Sequence, residues 1–160
     1  MLIQRKICWV LVATAATLAS VAAVGQPKRI VLRDAPLDEV VTFPRERLNQ
    51  LFRDADREDI SLTRMLEGGE FNVNIRHVEN ISPENYTTLV HPDTIDVWLV
   101  AEGSGVLVTG GVRDGNKHSG GDEQLIGVGD LVYIPAGVPH GMKETVGITW
   151  FNIRFPEHRN

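Results

Sequence analysis

A chain of 160 residues has room for one domain built around one hydrophobic core, and little more. Its net charge of −5 comes without a basic run or a clustered Lys/Arg face, which argues against a nucleic-acid partner. Its one cysteine, Cys8, excludes a disulfide framework.

Residues 1–25 read as a secretory signal peptide. Arg5 and Lys6 precede an apolar run over residues 7–24 that ends in small residues. The run approaches membrane-spanning length, so an uncleaved anchor is the rival reading, but six alanines and two threonines make it a weak span. Cleavage near Ala23 or Gly25 would start the mature chain at Gln26 and discard Cys8. The mature chain would then carry 14 basic against 21 acidic residues, a charge of about −7, with no stable membrane span. This predicts export, to the periplasm or out of the cell.

Residues 26–59 read as an arm followed by a helix. The arm, through residue 43, has an extended pattern. Pro44 then opens a stretch in which Leu48, Leu51, Phe52 and Ala55 fall on one helical face, with charged residues on the other. The expected place for this helix is the outside of a barrel. A membrane-binding role is disfavoured because Glu46, Asp54, Asp56 and Glu58 dilute the basic charge.

From residue 60 the period of the pattern becomes that of strands. Strands are expected over residues 60–66 and 70–78, joined by the turn Glu67-Gly68-Gly69, and then over 86–91 and 94–101. Glu102-Gly103-Ser104-Gly105 reads as a tight turn before a strand at 106–109. The polar, Gly-rich stretch 110–122 reads as a long mobile loop and a candidate lid. Further strands are expected over 123–126, 130–134, 141–144 and 148–155, with residues 156–160 as a tail. Many short strands at even spacing predict an all-β sandwich or closed barrel.

Two stretches carry the candidate chemistry. Gly129, Pro135, Gly137 and His140 follow the spacing Gly, five residues, Pro, one residue, Gly, two residues, His. Upstream, His91, Asp96 and Gly103 follow the spacing His, four residues, carboxylate, six residues, Gly. This pair of motifs resembles that of the cupin superfamily, over roughly residues 60–155. The resemblance implies a single cupin-like β-barrel (a jelly roll) with a short N-terminal helix. It also implies that two copies often pair, with the arm over residues 26–43 as the candidate element of a homodimer. The chain departs from the family pattern twice, with Leu89 at the first histidine position and Asp96 in place of glutamate.

His91, Asp96 and His140 are thus the candidate metal ligands. Two neutral imidazoles and one carboxylate on one side of an ion leave open positions for water or substrate, and divalent Fe, Mn, Ni and Zn all suit such a set. The plainer alternative is a strand histidine bonded to Asp96 with no ion. Strand alternation puts Trp98 and Val100 on the same face as Asp96, and Met142 on the face of His140. Trp98, Met142 and Arg154 are the candidate substrate-binding residues, although Trp98, Met142 and Trp150 also suit a plain core. On the last strand, apolar Phe151, Ile153 and Phe155 are expected to fill the packed layer, leaving Asn152 and Arg154 at the mouth or against a partner. Arg76 and Arg154 suit a carboxylate or phosphate ligand, or ion pairs at the surface. His77 is a replacement ligand or a strand-end histidine. The expected function is that of an exported, metal-dependent protein acting on a small polar organic molecule. Its alternatives are a metal-free small-molecule-binding module without catalytic activity, which Leu89 supports, and a purely structural, self-associating barrel.

Overall fold

The computed structural model describes residues 28–158 apart from residue 116. The expected leader, Cys8, the cleavage region and the last two residues of the tail lie outside the described residues. Among those described, nine strands and one helix succeed one another as β1 (Lys28–Val31), α1 (Arg45–Arg57), β2 (Ile60–Gly68), β3 (Phe71–Val78), β4 (Thr94–Thr109), β5 (Val112–Asp114), β6 (Lys117–Ser119), β7 (Asp122–Gly127), β8 (Leu131–Ile134) and β9 (His140–Pro156).

Seven strands form one sheet in the order β1-β2-β3-β9-β4-β7, with β8 also pairing with β4. Only β1 and β2 run parallel; the other pairs are antiparallel. The hydrogen-bonded path has two ends and does not close into a barrel among the described residues. The expected strand over residues 86–91 is the missing piece. That segment contributes one bridge, Leu89 to His140. Beside it, Gly147 N–H donates to the Glu79 carbonyl and Thr145 N–H to the Ile81 carbonyl, so irregular chain lies along the edge of β9. Pro83 and Pro92 bracket the segment, and a proline cannot donate to a ladder.

The long central strands explain how so open a ladder still encloses a core. Trp98 and Leu107 of β4 belong to one buried cluster with Ile126, Ile134, Met142, Ile148 and Trp150. Nine residues of straight strand would span ~30 Å, so β4 must bend to bring both into one core. The bend falls at register shifts between Val100 and Glu102 and between Glu102 and Ser104. Residues 102–105 are therefore a bulged bend inside one continuous strand, where the sequence had suggested a tight turn. Gly103 sits there at φ +70°, and a Cβ at that position would lie 1.8 Å from the Gly147 carbonyl oxygen. Only glycine fits where the two central strands come this close.

Two other expectations change for similar reasons. The stretch 110–122 is not a structureless loop: β5 and β6 form a hairpin with Arg113 opposite His118. The strands expected at 141–144 and 148–155 are parts of the single strand β9.

The helix is as the spacing predicts. Leu51, Phe52 and Ala55 are buried, and Leu51 and Phe52 pack with Met65 and Ile75 of the sheet. Each large side chain so buried contributes about 1.5–3 kcal/mol relative to exposure. Phe52 meets Phe151 with ring centroids 5.6 Å apart. This contact reverses the expected facing of the last strand. Phe151, Ile153 and Phe155 look outward, Phe151 under the helix and the others partly exposed, while Trp150 and Asn152 are buried on the inner face.

Candidate functional site

The inner face of the sheet is a grid built by strand register. Asp96, Trp98 and Val100 of β4 stand opposite Arg154, Asn152 and Trp150 of β9. Across β9, the same three residues stand opposite Asn72, Asn74 and Arg76 of β3. Directly paired residues share a face, so one surface carries carboxylate, amide, indole and guanidinium groups together. Asp96 is buried to 1 % exposure, as are Asn74 and Asn152.

His140 opens β9 and is 3 % exposed. His91 lies outside the strands, and backbone bonds bring it in. Gly137, at φ +79°, donates its N–H to the His91 carbonyl at 2.8 Å, and Leu89 and His140 exchange two backbone bonds at 2.8 and 3.0 Å. The Pro/Gly turn before β9 thus fixes both histidines. Their rings lie 5.4 Å apart, and Trp98 stands edge-on to His140 at 5.6 Å.

The orientation of His140 has a chemical consequence. Its Nδ1 lies 2.9 Å from the Val138 carbonyl oxygen. A carbonyl only accepts, so Nδ1 carries the hydrogen, and in the neutral ring Nε2 presents a lone pair. That Nε2 lies 3.2 Å from Asp96 Oδ2, and His91 Nε2 lies 3.8 Å from the same oxygen. Both Nε2 atoms are buried with no hydrogen-bond partner among the described residues. Burial and the neighbouring Arg154 push the His91 imidazole down to about 4, so it stays neutral near pH 7. Burial pushes the Asp96 carboxyl up, but His140 and Arg154 more than offset this and hold it below the usual carboxylate value. Arg154 makes two contacts to that carboxylate, Nε to Oδ1 at 2.7 Å and Nη2 to Oδ2 at 3.3 Å. The result is a set of electron-pair donors converging on one point, with the carboxylate oriented from behind by a guanidinium. One ligand atom from each of His91, Asp96 and His140 lies within 4.8 Å of the other two. This donor set fits a divalent cation.

A cavity of about 630 Å³ adjoins the cluster. Its walls include Arg76, Trp98, His140, Met142, Asn152 and Arg154; His91 and Asp96 do not line it. The candidate substrate-binding residues Trp98, Met142 and Arg154 are thus on one cavity wall with His140. Leu89 lines its mouth, 45 % exposed, and supplies no third imidazole. His77 does not join His91. Its Nδ1 lies 2.8 Å from Thr149 Oγ1 and its Nε2 3.0 Å from Glu79 Oε1. It belongs instead to a second candidate cluster with Asp56 and Glu79. Asn152 and Arg154 line the cavity, one of the two places expected for them, and sequence reasoning missed Glu79 altogether. The alternation of polar residues at 72, 74, 152 and 154 was the signal available for the inner face.

No family model and no curated protein matches the chain. Solved structures do. The protein BH2720 from Bacillus halodurans superposes with a TM-score of 0.53 at 17 % identity, over 78 % of this chain and 86 % of that one. An Fe(II) form of HppE gives 0.45 at 16 % identity, over 54 % of this chain and 44 % of that one. Hydroxypropylphosphonic acid epoxidase from S. wedmorenis in complex with fosfomycin gives 0.44, also at 16 % identity and over the same shares. At such identities a likeness concerns the fold alone. The chain has an all-β, cupin-like fold with one short helix.

Proposed function

From an all-β, cupin-like fold as premise, we propose that His91, Asp96 and His140 hold one divalent transition metal, and that the adjoining cavity receives a small polar organic molecule for a metal-assisted reaction. The observation that carries this reading is the approach of His140 Nε2 to Asp96 Oδ2 at 3.2 Å, with the Nε2 proton displaced to the other ring nitrogen by Val138. In the neutral ring a lone pair faces this carboxylate, a pairing that a shared cation stabilises; without metal, a proton on Nε2 would take the cation's place. Fe, Mn, Ni and Zn all suit two imidazoles and a carboxylate. A metal there supplies Lewis-acid polarisation of a carbonyl, or a bound water of lowered pKa. Trp98 and Met142 give the ligand an apolar wall, and Arg154 holds Asp96 in position at the cavity edge.

The proposal includes a jelly-roll-like strand arrangement, export directed by residues 1–25, and pairing of two copies through the N-terminal arm. Support for export comes from the basic, apolar and small-residue order of that segment. Support for pairing is that β1, at one end of the sheet path, has no second strand neighbour among the described residues. Among the described residues no helix is long and apolar enough to cross a membrane.

A second reading, a metal-free binding module, draws on the same carboxylate. Arg154 already gives Asp96 two charge-assisted contacts. Metal content by plasma mass spectrometry separates the two, on protein prepared without a His-tag or chelators. The metal reading predicts about one transition-metal ion per chain, lost in His140→Ala. No metal in the parent protein would leave the metal-free reading standing, and unchanged content in the variant would overturn this ligand set.

A further inference from the structure

Arg76 is the cation that the metal reading leaves unused. It lies on β3 with Trp150 on one side and Leu62 on the other, and Arg29 of β1 is the next partner along that row. The row places Arg29 and Arg76 on one face, and both line the cavity, as does Arg154. Arg154 is matched by Asp96. The Arg76 guanidinium has no hydrogen bond or ion pair with any described residue. Asp59 and Glu79 also line the cavity without pairing with it, and the attraction of Asp96 is opposed by Arg154 and Arg29. Burial, with those two like charges, pulls the Arg76 guanidinium down to about 10. A partly buried arginine without a counter-charge is costly, and cavities that keep one commonly hold an oxyanion against it.

We infer that the ligand of this cavity is a small organic anion, whose carboxylate or phosphoryl group is bound by Arg76 with Arg29 adding attraction at the entrance. The inference rests on the reading of the cavity as a ligand site and deepens it by naming the ligand's charge. The fields of Arg76 reach both Asp96 and His91. An anion anchored at Arg76 therefore lies within reach of the His91, Asp96 and His140 cluster, with its anionic end fixed and its neutral part directed toward His140. Trp98 and Met142 then flank the neutral part.

The test is binding of inorganic phosphate and of succinate to the full chain as purified, by calorimetry and thermal shift, with erythritol as the neutral control and Arg76→Gln beside the parent. Either anion should bind and raise the melting temperature, while erythritol does neither. In Arg76→Gln, affinity for the anion should fall on the order of tenfold or more. The variant without anion should melt no lower than the parent, because an unmatched charge has been removed. Response to phosphate alone assigns a phosphoryl group, and response to succinate alone a carboxylate; both support the inference. Absence of anion binding by the parent overturns it without reference to any variant, and equal affinity in parent and Arg76→Gln overturns it as well. Metal content is read on the same samples. Anion binding without metal sinks the metal reading alone, and metal without anion binding sinks this inference alone.

Discussion

A histidine that donates from one nitrogen to a carbonyl has settled which nitrogen is left for chemistry. Val138 does this for His140, and the short approach to Asp96 follows from it. His91 adds a pH signature. Its folded value of about 4 lies below its ordinary 6.5. As pH falls through that interval the unfolded chain takes up a proton that the folded chain refuses, so stability declines between pH 6.5 and about 4. Asp96, held below its ordinary value of 3.8, contributes stability above that value and loses it as pH falls further. Urea unfolding of chelated protein should show a midpoint lower at pH 4.5 than at pH 7, with a smaller decline in His91→Asn. Identical slopes in the two proteins would mean that His91 is not desolvated as described. These three candidate ligands were legible in the sequence because motif spacing is a local property. Arg76 was legible as a candidate for an anionic ligand or a surface ion pair, and its lack of a partner could not choose between them in sequence because it depends on three other strands.

Among the elements, the central strands β4 and β9 decide the geometry of the site, and one glycine decides how closely they run. Gly103→Ala would set a methyl group 1.8 Å from the Gly147 carbonyl oxygen, at a positive φ that alanine resists. The expected loss is about 2 kcal/mol or more, from strain combined with displaced pairing, measured as a fall in the denaturation midpoint. Stability within about 0.5 kcal/mol of the parent would show that the strands separate there easily. The same stretch shows why element boundaries were misread. Glycines in turns, bulges and hairpins look alike in sequence, and only pairing across the sheet distinguishes residues 102–105 from a turn or 110–122 from a loop. The helix was read correctly because its apolar face is set by its own spacing. That helix in turn explains the reversed facing of β9. An apolar row was taken for the interior, but Phe151 is apolar because α1 covers it from outside, and the interior row is polar because it lines a cavity.

Across the molecule, an open sheet bends over a core and leaves a cavity against its inner face. The all-β class followed from strand periodicity and glycine spacing. The unclosed ladder did not, since it turns on prolines and polar residues in 79–93 that bond to β9 at scattered points. In this arrangement a candidate metal cluster adjoins, through His140, the cavity that Arg76 lines, and a second candidate cluster comprises Asp56, His77 and Glu79. Anomalous diffraction at the absorption edge of whichever metal copurifies locates the ion directly. A peak shared by His91 Nε2, His140 Nε2 and Asp96 is the predicted result. A peak at His77 and Glu79, or none near Asp96, would contradict the account.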